Sequence, residues 1–309
     1  MLLRILGGLI LLVVAAAAVL LWLSRPVETG ELRDTYLTGE DRYVTAAGLD
    51  WRVRESGPEN APALILIHGF SHSLEAFDPW AAELDDAYRV IRFDLPGHGL
   101  TGRPADGAYS NEATVEQVSA LLDEIAPETF ALGGNSLGGL VAWRYAAGHP
   151  ERVGALVLVS PGGYSINGVT ADPVPVPQGV AFYLRTAPEA GVRAATAALY
   201  ADPARLDERD VSRITDLMKR EGNGEAMVQR LEVFTLPDPE PVLAQIETPA
   251  LILWGEQDMM VPPAHGPRFV EAMPDARLIT YPDAGHVAME ERPEATASDV
   301  RAFLDEVWQ

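Results

Sequence analysis

Phe130-Ala131-Leu132-Gly133-Gly134-Asn135-Ser136-Leu137-Gly138-Gly139-Leu140-Val141 is the stretch that decides the fold. An apolar run enters the serine and an amphipathic run leaves it, with glycines two residues before and two after. This Gly-x-Ser-x-Gly spacing marks a sharp strand-to-helix turn. Such a turn forces Ser136 into a strained backbone conformation, and Cβ atoms at Gly134 or Gly138 would crowd the strand against the helix. The hydroxyl is then held out at the C-terminal edge of a sheet, beside a helix N-terminus whose amides and dipole favour negative charge. The motif is short, so its meaning depends on partners elsewhere in the chain.

Outward from this turn, apolar runs alternate with helical spacing. Tyr43 to Thr45 and Leu49 to Arg54, split by Ala47-Gly48, predict an antiparallel hairpin. Ala63 to Ile67, Tyr88 to Phe93, Thr129 to Leu132, Val153 to Val159, Ala250 to Trp254 and Arg277 to Tyr281 predict strands, several of them apolar on both faces. Phe77 to Leu84, Ala113 to Ile125, Leu137 to Ala147, Pro263 to Met273 and Ala295 to Val307 predict helices. The fold class is therefore α/β, with a mainly parallel sheet covered on both faces. Residues 41–160 and 242–309 form this core. Between them, 161–241 opens with Pro173, Pro175 and Pro177 and continues as helical stretches at Gln178 to Arg185, Pro188 to Tyr200, Glu208 to Glu221 and Gly224 to Leu236. An all-helical insertion between two strands predicts a cap over the strand ends. Phe182, Tyr183, Tyr200, Met218, Met227 and Phe234 are candidates for its underside and the substrate pocket, although each also suits the cap's own core.

With 309 residues and 48% hydrophobic content, the chain can bury a large core. A net charge of −22 argues against a nucleic-acid partner, which requires a basic face. The absence of cysteine excludes disulfides, thiolate metal sites and cysteine nucleophiles. His68 and His72 have a His-x-x-x-His spacing, but Gly69 stands where a zinc protease has glutamate, and the segment reads as a loop; no metal is expected. Ile5 to Leu23 is an unbroken apolar run of about 19 residues, long enough to cross a bilayer. Ala15 to Ala18 lie inside the run and Val19 to Leu23 follow, so a small-residue cleavage site is missing from its end. Residues 1–24 are thus expected to be an uncleaved single-pass anchor, and residues 25–40 a polar tether. Arg4 and the terminal amine favour an inside N-terminus and an extracytoplasmic domain; Arg25, Arg33 and Arg42 compete on the other flank.

His68-Gly69, Asp94-Leu95-Pro96-Gly97-His98-Gly99, Gly134-Asn135-Ser136-Leu137-Gly138, Gly255-Glu256-Gln257-Asp258 and Gly285-His286 occur in that order, each at a predicted strand end. Over roughly Tyr43 to Gln309 the sequence resembles the α/β-hydrolase superfamily. The apolar N-terminus, His68-Gly69-Phe70-Ser71 and Met289-Glu290-Glu291-Arg292-Pro293 resemble its membrane-anchored monoacylglycerol-lipase-like group. The resemblance implies a nucleophile at Ser136, a general base at His286 and an orienting carboxylate at Asp258, in the chain order expected of the fold. Glu256 is the rival acid, Asp283 is expected to shape the histidine loop, and His68, Asp94 and His98 read as loop architecture. Backbone N–H groups of Phe70 and Leu137 would form the oxyanion hole. Serine, where dehalogenase-like and epoxide-hydrolase-like relatives carry aspartate, points to acyl transfer to water without a cofactor. The expected substrate is a carboxylic ester, with lipid-like esters such as monoacylglycerols favoured by the anchor. Thioester, lactone or carbon–carbon hydrolysis on the same residues is the alternative; haloperoxidase side activity and a non-catalytic binding role are weaker readings. Oligomeric state has no sequence signature here.

Overall fold

Alternate side chains of the apolar runs leave the sheet on opposite faces, and the computed structural model, which describes residues 25–307, shows where each set goes. In β3 (Ala63–Ile67) every residue is buried. Ile65 and Ile67 join one core with Leu121, Leu140, Trp143 and Phe269, whereas Leu64 and Leu66 join another with Trp80, Leu84, Val300 and Leu304. A strand covered on both sides has no polar face to show, which is why it reads as a continuous run.

The remaining strands are β1 (Asp41–Ala46), β2 (Leu49–Ser56), β4 (Arg89–Phe93), β5 (Phe130–Asn135), β6 (Val153–Val159), β7 (Ala250–Gly255) and β8 (Ala276–Tyr281). They form one 8-stranded sheet in the order β1-β2-β4-β3-β5-β6-β7-β8. β1 and β2 pair antiparallel, as do β2 and β4; every other pairing is parallel. The predicted hairpin and strands are thus present, most within a residue or two of their expected ends.

The chain's first described helix is α1 (Thr29–Tyr36). Polar composition predicts a tether here, but Leu32 is buried against Leu100 and Leu217, and the Tyr36 hydroxyl donates to Asp216 at 2.7 Å. The Val27 N–H donates to Lys219 O at 2.9 Å, stitching the segment to the cap. Arg52, fully buried in β2, donates to Asp41, Glu75 and the Tyr36 carbonyl at 2.7, 2.6 and 2.9 Å, so the end of α1 is also fastened to the sheet. The expected anchor, Ile5 to Leu23, lies outside the described residues. Among the described residues no helix is long and apolar enough to cross a membrane.

Helices α2 (Asp78–Leu84), α3 (Asn111–Ile125) and α4 (Leu137–Gly148) follow β3, β4 and β5. Between β6 and β7 come α5 (Gln178–Thr186), α6 (Glu189–Ala197), α7 (Glu208–Lys219), α8 (Asn223–Val233) and the short α9 (Glu240–Leu243). Leu184, Val192, Ile214, Met218 and Met227 give this insertion a core of its own. α10 (His265–Ala272), α11 (Ala288–Glu291) and α12 (Pro293–Val307) complete the described chain.

Candidate active site

β5 ends at Asn135 and α4 begins at Leu137, leaving Ser136 alone at the corner with φ 54° and ψ −113°. A non-glycine residue with positive φ in such a turn costs about 1–3 kcal/mol and persists only where neighbours impose it. They do so here. The Ser136 N–H donates to Val159 O at 3.0 Å, and its carbonyl accepts from Leu140 and Gly162 at 3.0 and 2.9 Å. A Cβ at Gly134 would lie 2.4 Å from the Gly138 carbonyl carbon, and one at Gly138 would lie 2.0 Å from Ile67 O. The sequence expectation for both glycines holds.

Asp258 and His286 follow β7 and β8 in loops and meet there. His286 Nδ1 is 2.8 Å from Asp258 Oδ2, with both residues buried. The other carboxylate oxygen accepts from Met260 and Val261 N–H at 2.8 and 2.9 Å. Burial works against the charged form of Asp258, but His286 and these two amides outweigh it and hold the carboxyl below its ordinary range. An ionised partner on Nδ1 selects the tautomer that carries its proton there, which leaves Nε2 as an acceptor. The backbone of His286 is held as well. Its N–H donates to Leu199 O at 2.7 Å, and its carbonyl accepts from Asn135 Nδ2 at 3.0 Å. Asn135 stands inside the serine motif, yet its bond to a residue 151 positions away has no sequence signature.

The rival acid, Glu256, and the other acidic residues of these loops bind elsewhere. Glu256 accepts from Thr280 Oγ1 at 2.8 Å, and Asp283, in the histidine loop, pairs with Arg292 at the end of α11. Asp94 accepts from Leu74 and Leu100 N–H at 2.8 and 2.7 Å, tying two loops together. His68 Nδ1 bonds to Gly69 O at 2.7 Å and Nε2 accepts from Leu95 N–H at 2.9 Å. Burial pushes the ring down to about 3, so it is neutral and fully engaged as a fastener of the loop after β3. That loop presents the Phe70 amide. Among the described residues, neither the Phe70 N–H nor the Leu137 N–H has a hydrogen-bond partner. Both are thus free to serve an oxyanion.

Ser136 and His286 line the same cleft, together with Phe70 and Met260. The cleft has two lobes. One, of about 220 Å³, extends to Ser71, His72, Tyr183, Thr196 and Leu199. The other, of about 200 Å³, extends to Leu137, Ile166, Arg230, Leu231 and Phe234. Of the expected pocket residues, Tyr183 and Phe234 are therefore in place. Three are not. Phe182 is 59% exposed on the outer side of α5, Met218 is buried in the cap's own core, and the Tyr200 hydroxyl donates to Glu290 at the cap's base. Met227 likewise belongs to the cap core. Pocket residues missed at the sequence level, such as Thr196 and Leu199, sit near the end of a helical run with nothing to distinguish them from its other faces.

Residues 62–293 match the alpha/beta hydrolase fold family. The chain belongs to that family. It is 30% identical over 81% of its length to the dihydrolipoyllysine-residue acetyltransferase component of the acetoin cleaving system of Pseudomonas putida, and the matched region is 65% of that protein. It is 26% identical to Lipase 1 of Psychrobacter immobilis, over 88% of the chain and 84% of the lipase. Against the 2-hydroxy-6-oxo-6-phenylhexa-2,4-dienoate hydrolase of Burkholderia cepacia it is 28% identical, over 80% of the chain and 88% of that enzyme. The crystal structure of a membrane phospholipase A superposes with a TM-score of 0.75 at 27% identity, covering 99% of both chains. At the level of class, the chain is a carboxylic-ester hydrolase.

Proposed function

We propose that the protein hydrolyses carboxylic esters through an acyl-enzyme on Ser136. The observation that carries this reading is the 2.8 Å Asp258–His286 bond beside a serine held at φ 54° in the same cleft. Ser136 Oγ attacks the acyl carbon while its proton passes to His286 Nε2. The Phe70 and Leu137 amides hold the resulting oxyanion, and Asp258 stabilises the imidazolium. Collapse breaks the ester bond, and the imidazolium returns the proton to the leaving alcohol. Water then attacks the acyl-enzyme, gives a proton to His286, and the carboxylic acid leaves as Ser136 is reprotonated.

The favoured substrates are lipid-like esters such as monoacylglycerols. The second lobe is walled by Leu137, Ile166, Leu231 and Phe234, and the exposed apolar side chains Val180 and Met260 line the cleft. The apolar run Ile5 to Leu23 would hold the domain at a bilayer from its extracytoplasmic side, where such esters partition. A second reading, carbon–carbon hydrolysis of an anionic dienoate, is favoured by Arg230. This buried guanidinium lines the second lobe and has no carboxylate partner among the described residues.

The test is a substrate panel on the full chain in mixed micelles: 4-nitrophenyl esters graded by acyl length, monoacylglycerols, and a 2-hydroxy-6-oxo-dienoate. The proposal expects monoacylglycerols and medium-chain esters to lead, and deletion of the apolar run to lower turnover of micellar monoacylglycerol more than that of a short soluble ester. Cleavage of the dienoate with a higher kcat/KM than every ester overturns the ester reading. Indifference of both ester classes to the deletion overturns the lipid reading.

A further inference from the structure

Glu291 ends α11, and no step of the proposed reaction uses it. Its side chain is buried, yet both carboxylate oxygens are occupied. Oε2 accepts from the N–H of Gly285 at 2.5 Å and of Ala201 at 3.0 Å, and Oε1 accepts from the N–H of Asp202 at 3.0 Å. Its carbonyl accepts from Arg205 Nη1 at 3.0 Å. These donors belong to two different parts of the molecule. Gly285 immediately precedes His286 in the core, whereas Ala201 and Asp202 lie in the cap segment that joins α6 to α7. The same two segments also meet directly, through the 2.7 Å bond from His286 N–H to Leu199 O. They are packed so closely that a Cβ at Gly285 would lie 2.3 Å from that oxygen.

We infer that Glu291 is a positioning residue for His286, and that it makes the placement of the base depend on how cap residues 199–202 are seated. The inference rests on the reading of His286 as the general base. A carboxylate shared by three amides in a buried site binds each more strongly than a neutral acceptor could. Removing its charge loosens the cap segment and the peptide leading into the histidine together. Thr196 and Leu199 line the first lobe, so a group that fills this lobe presses on the chain that holds the base. The occupant of that lobe is therefore read out in turnover as well as in binding.

Glu291→Gln in the full-length enzyme keeps the side chain's shape but sets an amide NH2 against N–H donors. The expected result is a fall in kcat of about 10- to 100-fold with KM within about threefold of wild type, because a base displaced by a fraction of an ångström loses rate rather than affinity. Active sites are counted by fluorophosphonate titration, so kcat refers to competent protein. Glu291→Asp keeps the charge, and its kcat is expected to lie between those of Glu291→Gln and wild type. A kcat per active site within about threefold of wild type in Glu291→Gln, or a rise in KM alone, overturns the inference. If Glu291→Gln yields no folded protein, Glu291→Asp carries the test: wild-type kcat in that variant overturns it, and a reduced kcat at unchanged KM supports it. His286→Ala separates the two levels. Retained activity there removes the base assignment and the inference with it, whereas a dead His286→Ala beside an unimpaired Glu291→Gln removes the inference alone.

Discussion

Glu290, the neighbour of Glu291, is a buried carboxyl with too few partners, and replacing it with glutamine should stabilise the protein in a pH-dependent way. Oε2 accepts from the Tyr200 hydroxyl, while Oε1 has no hydrogen-bond partner and lies 3.7 Å from His72 Nε2. Burial is the main reason its pKa rises from 4.5 to about 7; Asp210 and Glu291 push the same way, and the Tyr200 bond and Arg213 oppose them. A carboxyl raised in the folded state binds its proton more tightly folded than unfolded. Its contribution is present in full below pH 4.5 and is lost as pH rises through about 7. The gap corresponds to about 3 kcal/mol at full ionisation. Glutamine mimics the neutral acid at every pH and still accepts from Tyr200. Glu290→Gln should therefore match wild type near pH 4.5 and exceed it by about 3 kcal/mol at pH 8, or about 6 °C in Tm. Urea midpoints of both proteins at pH 5 and pH 8 check this. A difference that is the same at both pH values, or a wild type more stable at pH 8, refutes the reasoning, because the carboxyl would then be ionised in the fold at no cost.

Other expected outcomes follow from the same contacts. Asp258→Asn should lower kcat by about 10⁴-fold with little change in stability, since an amide at that position no longer selects the Nδ1–H tautomer of His286; steady-state kinetics with a soluble ester measure it. Leu32→Ala should cost about 2–5 kcal/mol, because its side chain is the buried apolar contact of α1, and should expose residues 25–40 to protease; an unchanged urea midpoint would mean that the burial of Leu32 contributes nothing. Phe234→Ala should extend the second lobe and move the preferred acyl chain to greater length in a graded 4-nitrophenyl ester series; an unmoved optimum would place the acyl chain in the other lobe.

Much of the core is legible in the sequence because strands buried on both faces have to be apolar throughout. Ala63 to Ile67 and Val153 to Val159 are strands with the expected bounds. The site residues are legible for a related reason: Ser136, Asp258 and His286 all follow strands, and in a parallel sheet the ends of successive strands share one rim. What escapes the sequence is of two kinds. Backbone partners leave no trace in the letters: Asn135 and Glu291 stand inside recognisable motifs, yet nothing there shows which distant amides and carbonyls they bind. Buried charge resembles surface charge: Arg52 is fully buried among Asp41, Glu75 and Asp94, but in sequence it is one arginine in a polar hairpin. In the cap, helical spacing shows that Phe182, Tyr200 and Met218 are on helical stretches without showing which way each helix is turned. The polar composition around Leu32 similarly hides a helix seated by one buried leucine together with Tyr36 and the Val27 backbone.

The central claim is that His286 activates Ser136, and covalent capture tests it most directly. Intact-mass and peptide analysis of the full chain after treatment with a fluorophosphonate should show one adduct, on the peptide containing Ser136. It should be absent in Ser136→Ala and form at least about 100-fold more slowly in His286→Ala. No adduct on folded protein, an adduct at another serine, or equal labelling rates with and without the imidazole would contradict the account.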